Sequence, residues 1–129
     1  CGGFTGAKKI AAVAEAHHAS LVPHNPLSPV ATAACIQFDA ATPSFTIQEY
    51  PDPDGLAAHA RFVFEKTGKS AFRASDIVNV MPECRDGFLV VPDAPGIGIE
   101  LVEGVEEKFP FERRKVVTRL TTDGAVMDQ

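Results

Sequence analysis

Small apolar residues recur at helical spacing near the start of the chain, at Ala7, Ile10, Ala11 and Ala14. This pattern, with Thr5 as a candidate N-cap, predicts a helix from Thr5 to about His18. Residues 19–22 then have the pattern of a short strand. That strand is predicted to end in the turn Pro23-His24-Asn25-Pro26, because two prolines within four residues interrupt a helix or a central strand.

The same order of elements occurs a second time. Another alanine-rich helix is predicted from about Val30 to Ala41, and a strand from Phe45 to Tyr50. Helix, strand, helix and strand joined by short connections are typical of βαβ units and a parallel sheet. The beginning of the chain is therefore predicted to have an α/β fold.

The remainder of the chain has a weaker pattern. Residues 56–68 favour a helix, and the tail from about Glu106 is charged and includes a turn at Asp123-Gly124. Three segments favour strands: 86–92, 98–102 and 115–120. The first two are predicted to pair through the connection 93–97, as a hairpin.

The composition is that of an ordinary globular protein. The 129 residues are 45% hydrophobic and 22% charged, and 12 Lys and Arg against 17 Asp and Glu give a formal net charge of −5. Net acidity without a basic cluster argues against nucleic acid or an anionic membrane as a partner. The apolar runs are far shorter than the roughly 20 residues that span a bilayer. Three scattered cysteines do not form a disulfide framework, so we expect a reducing cytoplasm.

His24 and Glu49 are the candidate catalytic residues. Each lies at the C-terminal end of a predicted strand, and their spacing fits adjacent units of a (β/α)8 barrel, which takes roughly 30 residues for each unit. Barrel enzymes place their chemistry where the strands end, so we expect the two side chains at one site. An imidazole exchanges protons near neutral pH, and a carboxylate beside an apolar strand must be paired, exposed or used.

A metal-binding module is a weaker interpretation. The candidate ligands are His17, His18, His24, His59 and Cys35. No two of them have the CxxC or HxxxH spacing that places ligands on one ion. His17 and His18 fit the end of a helix, where positive charge is favourable, and Cys35 is expected to pack as a small apolar residue.

Four segments carry a family resemblance: Gly2-Gly3-Phe4-Thr5, Pro23-His24-Asn25-Pro26-Leu27-Ser28-Pro29, Phe45-Thr46-Ile47-Gln48-Glu49-Tyr50 and Val91-Pro92-Asp93-Ala94-Pro95-Gly96-Ile97-Gly98-Ile99-Glu100. Their order and spacing resemble the mandelate racemase/muconate lactonizing enzyme family of the enolase superfamily. Within that family the chain is most similar to galactonate-dehydratase-like sugar-acid dehydratases. The resemblance covers nearly the whole chain and is loosest at residues 56–85.

The resemblance implies the last part of a modified (β/α)8 barrel. Residues 1–55 would form its final units, with strands 7 and 8 of the barrel. Residues 56–129 would add a C-terminal helix, hairpin and tail, of which Asp86 to Leu101 packs on an N-terminal capping domain. Enzymes of this family use one Mg²⁺, remove the proton α to a carboxylate and eliminate water, which gives a 2-keto-3-deoxy acid.

The resemblance also assigns roles to individual residues. His24 matches a histidine that acts as general base or acid together with an aspartate. Glu49 matches a glutamate that must be protonated to donate a hydrogen bond to the enediolate. Asn25 is predicted to contact the substrate. No residue of this chain matches a metal ligand, so the Mg²⁺ carboxylates and the dyad aspartate are expected upstream of Cys1.

We therefore expect a fragment of a longer enzyme. The chain starts Cys1-Gly2-Gly3 without an initiator Met, and two strands cannot close a barrel, so this chain alone should be inactive. The whole protein is expected to be a homo-oligomer that acts on a small sugar acid. Two alternatives are a racemase or epimerase of the same superfamily, and a truncated, non-catalytic remnant that associates with a partner.

Overall fold

The computed structural model describes residues 1–25, 28–50, 73–111, 113 and 122–125. Its helices are α1 (Gly3–Ala16), α2 (Pro29–Ala40) and the short α3 (Val105–Lys108), with a 3-10 turn at Ala74–Asp76. Two short strands, β1 (Cys84–Arg85) and β2 (Phe88–Leu89), form a two-stranded sheet. The helix predicted at 56–68 and the strand predicted at 115–120 lie outside the described residues.

Helix α1 confirms the first predicted helix and corrects its start. It begins at Gly3, with Gly2 as N-cap in the left-handed conformation, so the predicted cap Thr5 lies inside the first turn. Glycine is an acceptable N-cap, and its freedom at positive φ allows the chain to enter the helix two residues early. The helix ends at Ala16, with His17 as its C-cap, and the backbone N–H of Ala19 donates to the Ala14 carbonyl at 2.9 Å.

Helix α2 confirms the second predicted helix to within one residue at each end. Ser28 is its N-cap, and its hydroxyl accepts a hydrogen bond from the Ala31 N–H at 3.3 Å. Pro29 follows at the first helical position, where its fixed φ favours the helix and its missing N–H removes no bond. The two long helices contact each other, and the Lys8 ammonium group of α1 donates to the Ala41 carbonyl at the end of α2.

The two predicted strands that follow these helices contract to a single parallel bridge between Leu21 and Phe45. The Leu21 N–H donates to the Ser44 carbonyl at 2.8 Å, and the Thr46 N–H donates to the Leu21 carbonyl at 3.0 Å. The next bond of a parallel ladder would come from residue 23, which is Pro23 and has no N–H. The parallel direction was predicted correctly, whereas the lengths 19–22 and 45–50 were too great.

The predicted pairing of strand 86–92 with strand 98–102 is wrong. Asp86 and Gly87 form the turn of a hairpin, with φ of 51° and 82°, and do not start a strand. Around them Cys84 pairs with Leu89 and Arg85 pairs with Phe88. Positive φ at both central residues is the type I′ geometry that Asp-Gly favours, because it matches the twist of the flanking strands.

The second predicted strand, 98–102, has a different partner from the one expected. Its Leu101 forms an antiparallel bridge with Val78, supported by a 3.0 Å bond from the Val102 N–H to the Ile77 carbonyl. A period of two identifies which residues share a face of a strand, but not which segment pairs with it. The segment from Pro92 to Pro95 therefore connects two separate pairings, the β1–β2 hairpin and the bridge between Val78 and Leu101.

A cavity of about 130 Å³ lies between helix α2 and the second part of the chain. Ala33 and Ile36 of α2 line one side, and Met81, Pro82 and Ile99 line the other. Nearby, the Tyr50 hydroxyl donates to the Pro82 carbonyl at 3.2 Å. Within the ranges that the structure describes, no helix is long and apolar enough to cross a membrane.

Candidate active site

The structure brings the two predicted catalytic residues into direct contact. His24 Nδ1 lies 2.8 Å from Glu49 Oε2. The parallel bridge explains this proximity, because His24 is three residues after Leu21 and Glu49 is four residues after Phe45. Segments that leave a parallel pair in the same direction emerge at the same edge of the sheet.

Asn25 is the third predicted site residue, and it donates two hydrogen bonds to Glu49. Its backbone N–H donates to Glu49 Oε2 at 2.6 Å, and its side-chain Nδ2 donates to the Glu49 carbonyl at 3.2 Å. The residue is only 1% exposed. Its Oδ1 is buried and accepts no hydrogen bond from the described part of the chain.

Thr32 belongs to the same network and was missed by the sequence reasoning. Asn25 Nδ2 donates to Thr32 Oγ1 at 2.8 Å, and the Thr32 hydroxyl donates to the Ser28 carbonyl at 3.3 Å. A signal was present in the sequence. The buried face of α2 follows the helical spacing Pro29, Thr32, Ala33, Ile36, and Thr32 is its one member with a polar side chain. A buried hydroxyl needs a partner, and Asn25 supplies it.

The surroundings of Glu49 favour its ionised form. The hydrogen bond from the Asn25 backbone N–H is the largest influence that lowers the pKa of Glu49 below its ordinary value. Burial opposes this, and the hydrogen bond and charge of His24 lower the pKa further. The expectation of a protonated Glu49 therefore does not match the contacts within this chain.

An ionised carboxylate also determines which nitrogen of His24 carries the proton. A carboxylate only accepts hydrogen bonds, so His24 Nδ1 must donate to Glu49 Oε2. In the neutral ring the second nitrogen, Nε2, is then an unprotonated acceptor. The His24 side chain is 81% exposed, so this contact, rather than packing, orients the ring.

Comparison with known proteins identifies the family. A model of the enolase C-terminal domain-like family matches residues 1–105. The chain belongs to that family. This confirms the resemblance on which the sequence-based assignment rested.

Two curated relatives of this enolase C-terminal domain-like chain are named as sugar-acid enzymes. A D-galactonate dehydratase family member from Streptomyces bingchenggensis is 34% identical over 129 residues, which cover 98% of this chain and 27% of the relative. A D-mannonate dehydratase from Caulobacter vibrioides is 32% identical over 133 residues, which cover 98% of this chain and 28% of the relative. The chain thus spans about a quarter of the length of these relatives.

A solved structure supports the same family by its fold. An enolase from Pantoea ananatis, with bound D-gluconate and Mg, superimposes on this chain with a TM-score of 0.65 and 31% identity. The alignment covers 87% of this chain and 23% of that structure. The described elements therefore have the arrangement of a part of an enolase-superfamily domain.

The described residues of this enolase C-terminal domain-like chain do not form a metal centre. No group of three or more His, Cys, Asp or Glu residues in the described ranges is placed to hold an ion. His17 and His18 are exposed at the end of α1, Cys35 is half-buried in α2, and His59 lies outside the described residues. The described residues of this chain therefore do not fit Mg²⁺.

Proposed function

We propose that the protein carrying this chain is a Mg²⁺-dependent sugar-acid dehydratase. It removes the proton α to a carboxylate and eliminates the β-hydroxyl as water, and the enol product tautomerises to a 2-keto-3-deoxy acid. The observation that supports this most is the 2.8 Å contact between His24 and Glu49 in a chain whose curated relatives are named as sugar-acid dehydratases.

His24 is proposed to move the proton. With Nδ1 bonded to Glu49, the lone pair of Nε2 accepts a proton from the substrate, and the resulting imidazolium can return one. The same nitrogen thus serves as the base that takes the α proton or as the acid that protonates the departing hydroxyl. Glu49 Oε2, 2.8 Å from Nδ1, accepts the Nδ1 hydrogen in the neutral ring and in the protonated ring alike.

Glu49 is proposed to contact the substrate as well. Only Oε2 of its two carboxylate oxygens is engaged by the described residues, which leaves Oε1 for a substrate hydroxyl. The predicted hydrogen bond from a protonated Glu49 would need added burial or negative charge from residues outside this chain, because the contacts within it lower the pKa of Glu49.

The placement of the chain within the whole enzyme is part of the proposal. Residues 1–55 would carry barrel strands 7 and 8, and residues 86–101 would pack on the capping domain. The Mg²⁺ carboxylates and the dyad aspartate would lie outside this chain, so the chain by itself would be inactive. The whole protein is proposed to be a cytoplasmic homo-oligomer with a small-molecule substrate.

The test is an activity panel on the whole protein. D-Galactonate, D-mannonate and D-gluconate are each incubated with the protein and Mg²⁺, and the 2-keto-3-deoxy acid is measured, with a metal-chelated sample as control. We expect product from at least one sugar acid and none after chelation. Epimerised sugar acid without loss of water would support the racemase or epimerase alternative instead. A protein that changes none of the three would contradict the dehydratase proposal.

A further inference from the structure

We propose that Val22 and Ile47 form the apolar floor of the active site, on which the substrate rests beside His24 and Glu49. Side chains of the same protein from outside this chain cover the two residues from the other direction. The part of this inference that concerns the reaction rests on the proposed function, whereas the position of the two residues rests on the structure. We refer to Val22 and Ile47 as the floor residues.

The first floor residue shares a face with His24. Val22 lies two residues before His24, and side chains two residues apart in an extended segment point to the same face. Val22 also precedes Pro23, and a residue before proline favours an extended backbone. Exposure alternates accordingly, since Val22 and His24 are exposed, whereas Pro23 between them is half-buried.

The second floor residue has the same relation to Glu49. Ile47 lies two residues before Glu49 and both are exposed, whereas Gln48 between them is half-buried. The two segments leave one parallel bridge in the same direction, and the side chains of His24 and Glu49 meet at 2.8 Å. The floor residues therefore lie on the face that carries these two site residues, one step closer to the bridge.

The opposite face of the two segments is covered within this chain. Asn25 is 1% exposed, and its Nδ2 donates to Thr32 Oγ1 of helix α2 at 2.8 Å. The Tyr50 hydroxyl donates to the Pro82 carbonyl at 3.2 Å. The residues that alternate with the floor residues are thus held against α2 and the second part of the chain, which leaves the floor face open.

The exposure of the floor residues indicates what lies against them. Val22 is 55% exposed and Ile47 is 62% exposed, in a chain that spans about a quarter of the length of its curated relatives. Burial of apolar surface gains roughly 25 cal/mol for each Å² removed from water. Parallel strands of a barrel bury such side chains in layers below the ends that carry the chemistry. The cover is therefore supplied by residues of the same protein outside this chain.

An apolar floor suits the proposed reaction for two reasons. Valine and isoleucine offer no hydrogen bond, and a small space lined by such side chains stays free of water. Nε2 of His24 then exchanges its proton with the substrate and not with water beneath it. Both floor residues are also β-branched and stiff at χ1, so they fix the depth at which the substrate lies. Misplacement of a reacting group by about 1 Å can slow a reaction about 100-fold.

Ile10 of helix α1 provides a matched control for Ile47 in a kinetic experiment. It is 51% exposed, and its helix contributes no residue to the site. Ile47→Ala and Ile10→Ala remove the same atoms from the side chain. In the whole protein we expect Ile47→Ala to lower kcat for the sugar acid at least about tenfold. The conservative Ile47→Val and the control Ile10→Ala should each keep kcat within about twofold of the wild type.

A second measurement tests the position of the floor residues without activity. Val22→Cys and Ile47→Cys each place a thiol at the floor of the whole protein. Its alkylation by iodoacetamide is followed by mass spectrometry of the peptide that contains it. We expect each thiol to react at least about 100-fold more slowly in the folded protein than in the same protein unfolded in urea.

The outcomes separate the floor from the proposed reaction. Fast alkylation of either thiol in the folded protein, or equal effects of Ile47→Ala and Ile10→Ala on kcat, would overturn the inference. If the wild-type protein dehydrates no sugar acid, the proposed function fails, and the alkylation rates still decide whether the floor face is covered. If Ile47→Ala does not fold, Val22→Ala is compared with a valine of similar exposure, Val80→Ala at 57%. The inference then requires a kcat at least about fivefold lower in Val22→Ala than in Val80→Ala.

Discussion

The first part of the molecule, residues 1–50, and the second part, residues 73–111, each contain a glutamate paired with a basic side chain. The two pairs differ in what surrounds them. In the first part Glu49 meets His24 at 2.8 Å, and in the second part Glu83 meets Arg85 at 2.6 Å. Glu83 and Arg85 are neighbours on one hairpin, with side chains 55% and 67% exposed. Glu49 comes from a segment 25 residues away from its partner and is anchored by the buried Asn25.

This difference shows that a short distance between two oppositely charged side chains does not by itself identify a functional site. An exposed ion pair contributes about 0–1 kcal/mol, because water competes with it and two long side chains must be ordered. The Glu49 carboxylate accepts a bond from a backbone N–H whose residue is itself held by Thr32. The first part thus joins its segments through buried polar side chains, whereas the second part relies on backbone pairing and turns.

The largest effect that we expect is on turnover, and it tests whether the anchored Glu49 differs from the exposed Glu83. Glu49→Gln keeps the size of the side chain and removes its charge, so the hydrogen bond from His24 Nδ1 meets a neutral amide instead of a carboxylate. We expect kcat of the whole protein to fall about 10- to 100-fold, since an amide oxygen still accepts a hydrogen bond. Steady-state kinetics on the sugar acid identified in the panel measures this effect.

The matched control is Glu83→Gln. It removes the charge of the exposed pair, and we expect kcat to stay within about twofold of the wild type. Equal losses in the two variants would mean that the anchoring of Glu49 has no catalytic importance.

The next effect concerns the hairpin of the second part. A side chain added at Gly87 would meet no atom within 4 Å, so the change tests backbone conformation and not crowding. With φ of 82°, a β-branched residue is strained there, and Gly87→Val should destabilise the hairpin by about 2 kcal/mol. Hydrogen exchange of the Val90 amide, which bonds the Glu83 carbonyl at 2.9 Å, should accelerate at least about tenfold.

Gly87→Asn is the control for the hairpin, because asparagine tolerates positive φ. It should accelerate exchange of the Val90 amide much less than valine does, and neither variant should change kcat by more than about twofold. If Gly87→Val caused a large loss of turnover at a temperature where the protein is folded, the hairpin would influence the active site, which would contradict this expectation.

The smallest effect concerns Asp39 of helix α2 and depends on pH. Burial raises the pKa of Asp39 from 3.8 to about 6, so the folded protein binds this proton more tightly than the unfolded chain. Ionised Asp39 therefore lowers stability above about pH 6, and stability should rise as the pH falls from 6 towards 4. We expect Asp39→Asn to stabilise the protein by about 1 kcal/mol at pH 8 and by nothing measurable at pH 4.

Denaturant unfolding at the two pH values measures the Asp39 effect. Asp93→Asn, on an exposed connection, is the control and should leave stability unchanged at both. A stabilisation by Asp39→Asn that is the same at pH 4 and pH 8 would show that the gain does not come from the charge.

The helices and the meeting of His24 with Glu49 could be predicted from the sequence because their causes are local. Alanine-rich periodicity fixes α1 and α2, and prolines and the Ser28 cap fix where α2 begins. The parallel order of the two segments then places the residues after each strand pattern at one edge. The prolines predicted where the first strand ends, but the pattern did not show that the pairing would consist of the single bridge between Leu21 and Phe45.

The rest depends on contacts between distant residues. Periodicity could not tell that Leu101 pairs with Val78, because many segments offer the same alternation. The turn at Asp86-Gly87 was predictable, since Asp-Gly is a strong hairpin signal, but the apolar run after it suggested one continuous strand. Thr32 was visible as a polar residue on a helical apolar face, and only the structure shows that it bonds Asn25.

The most direct test of the central claim is the turnover of His24→Asn in the whole protein, measured together with substrate binding. Asparagine fills much of the space of the imidazole and cannot exchange a proton near neutral pH. We predict that kcat falls by at least about 1000-fold while the affinity for the sugar acid changes little. Near-normal turnover in that variant would contradict it, because the proton would then move without His24.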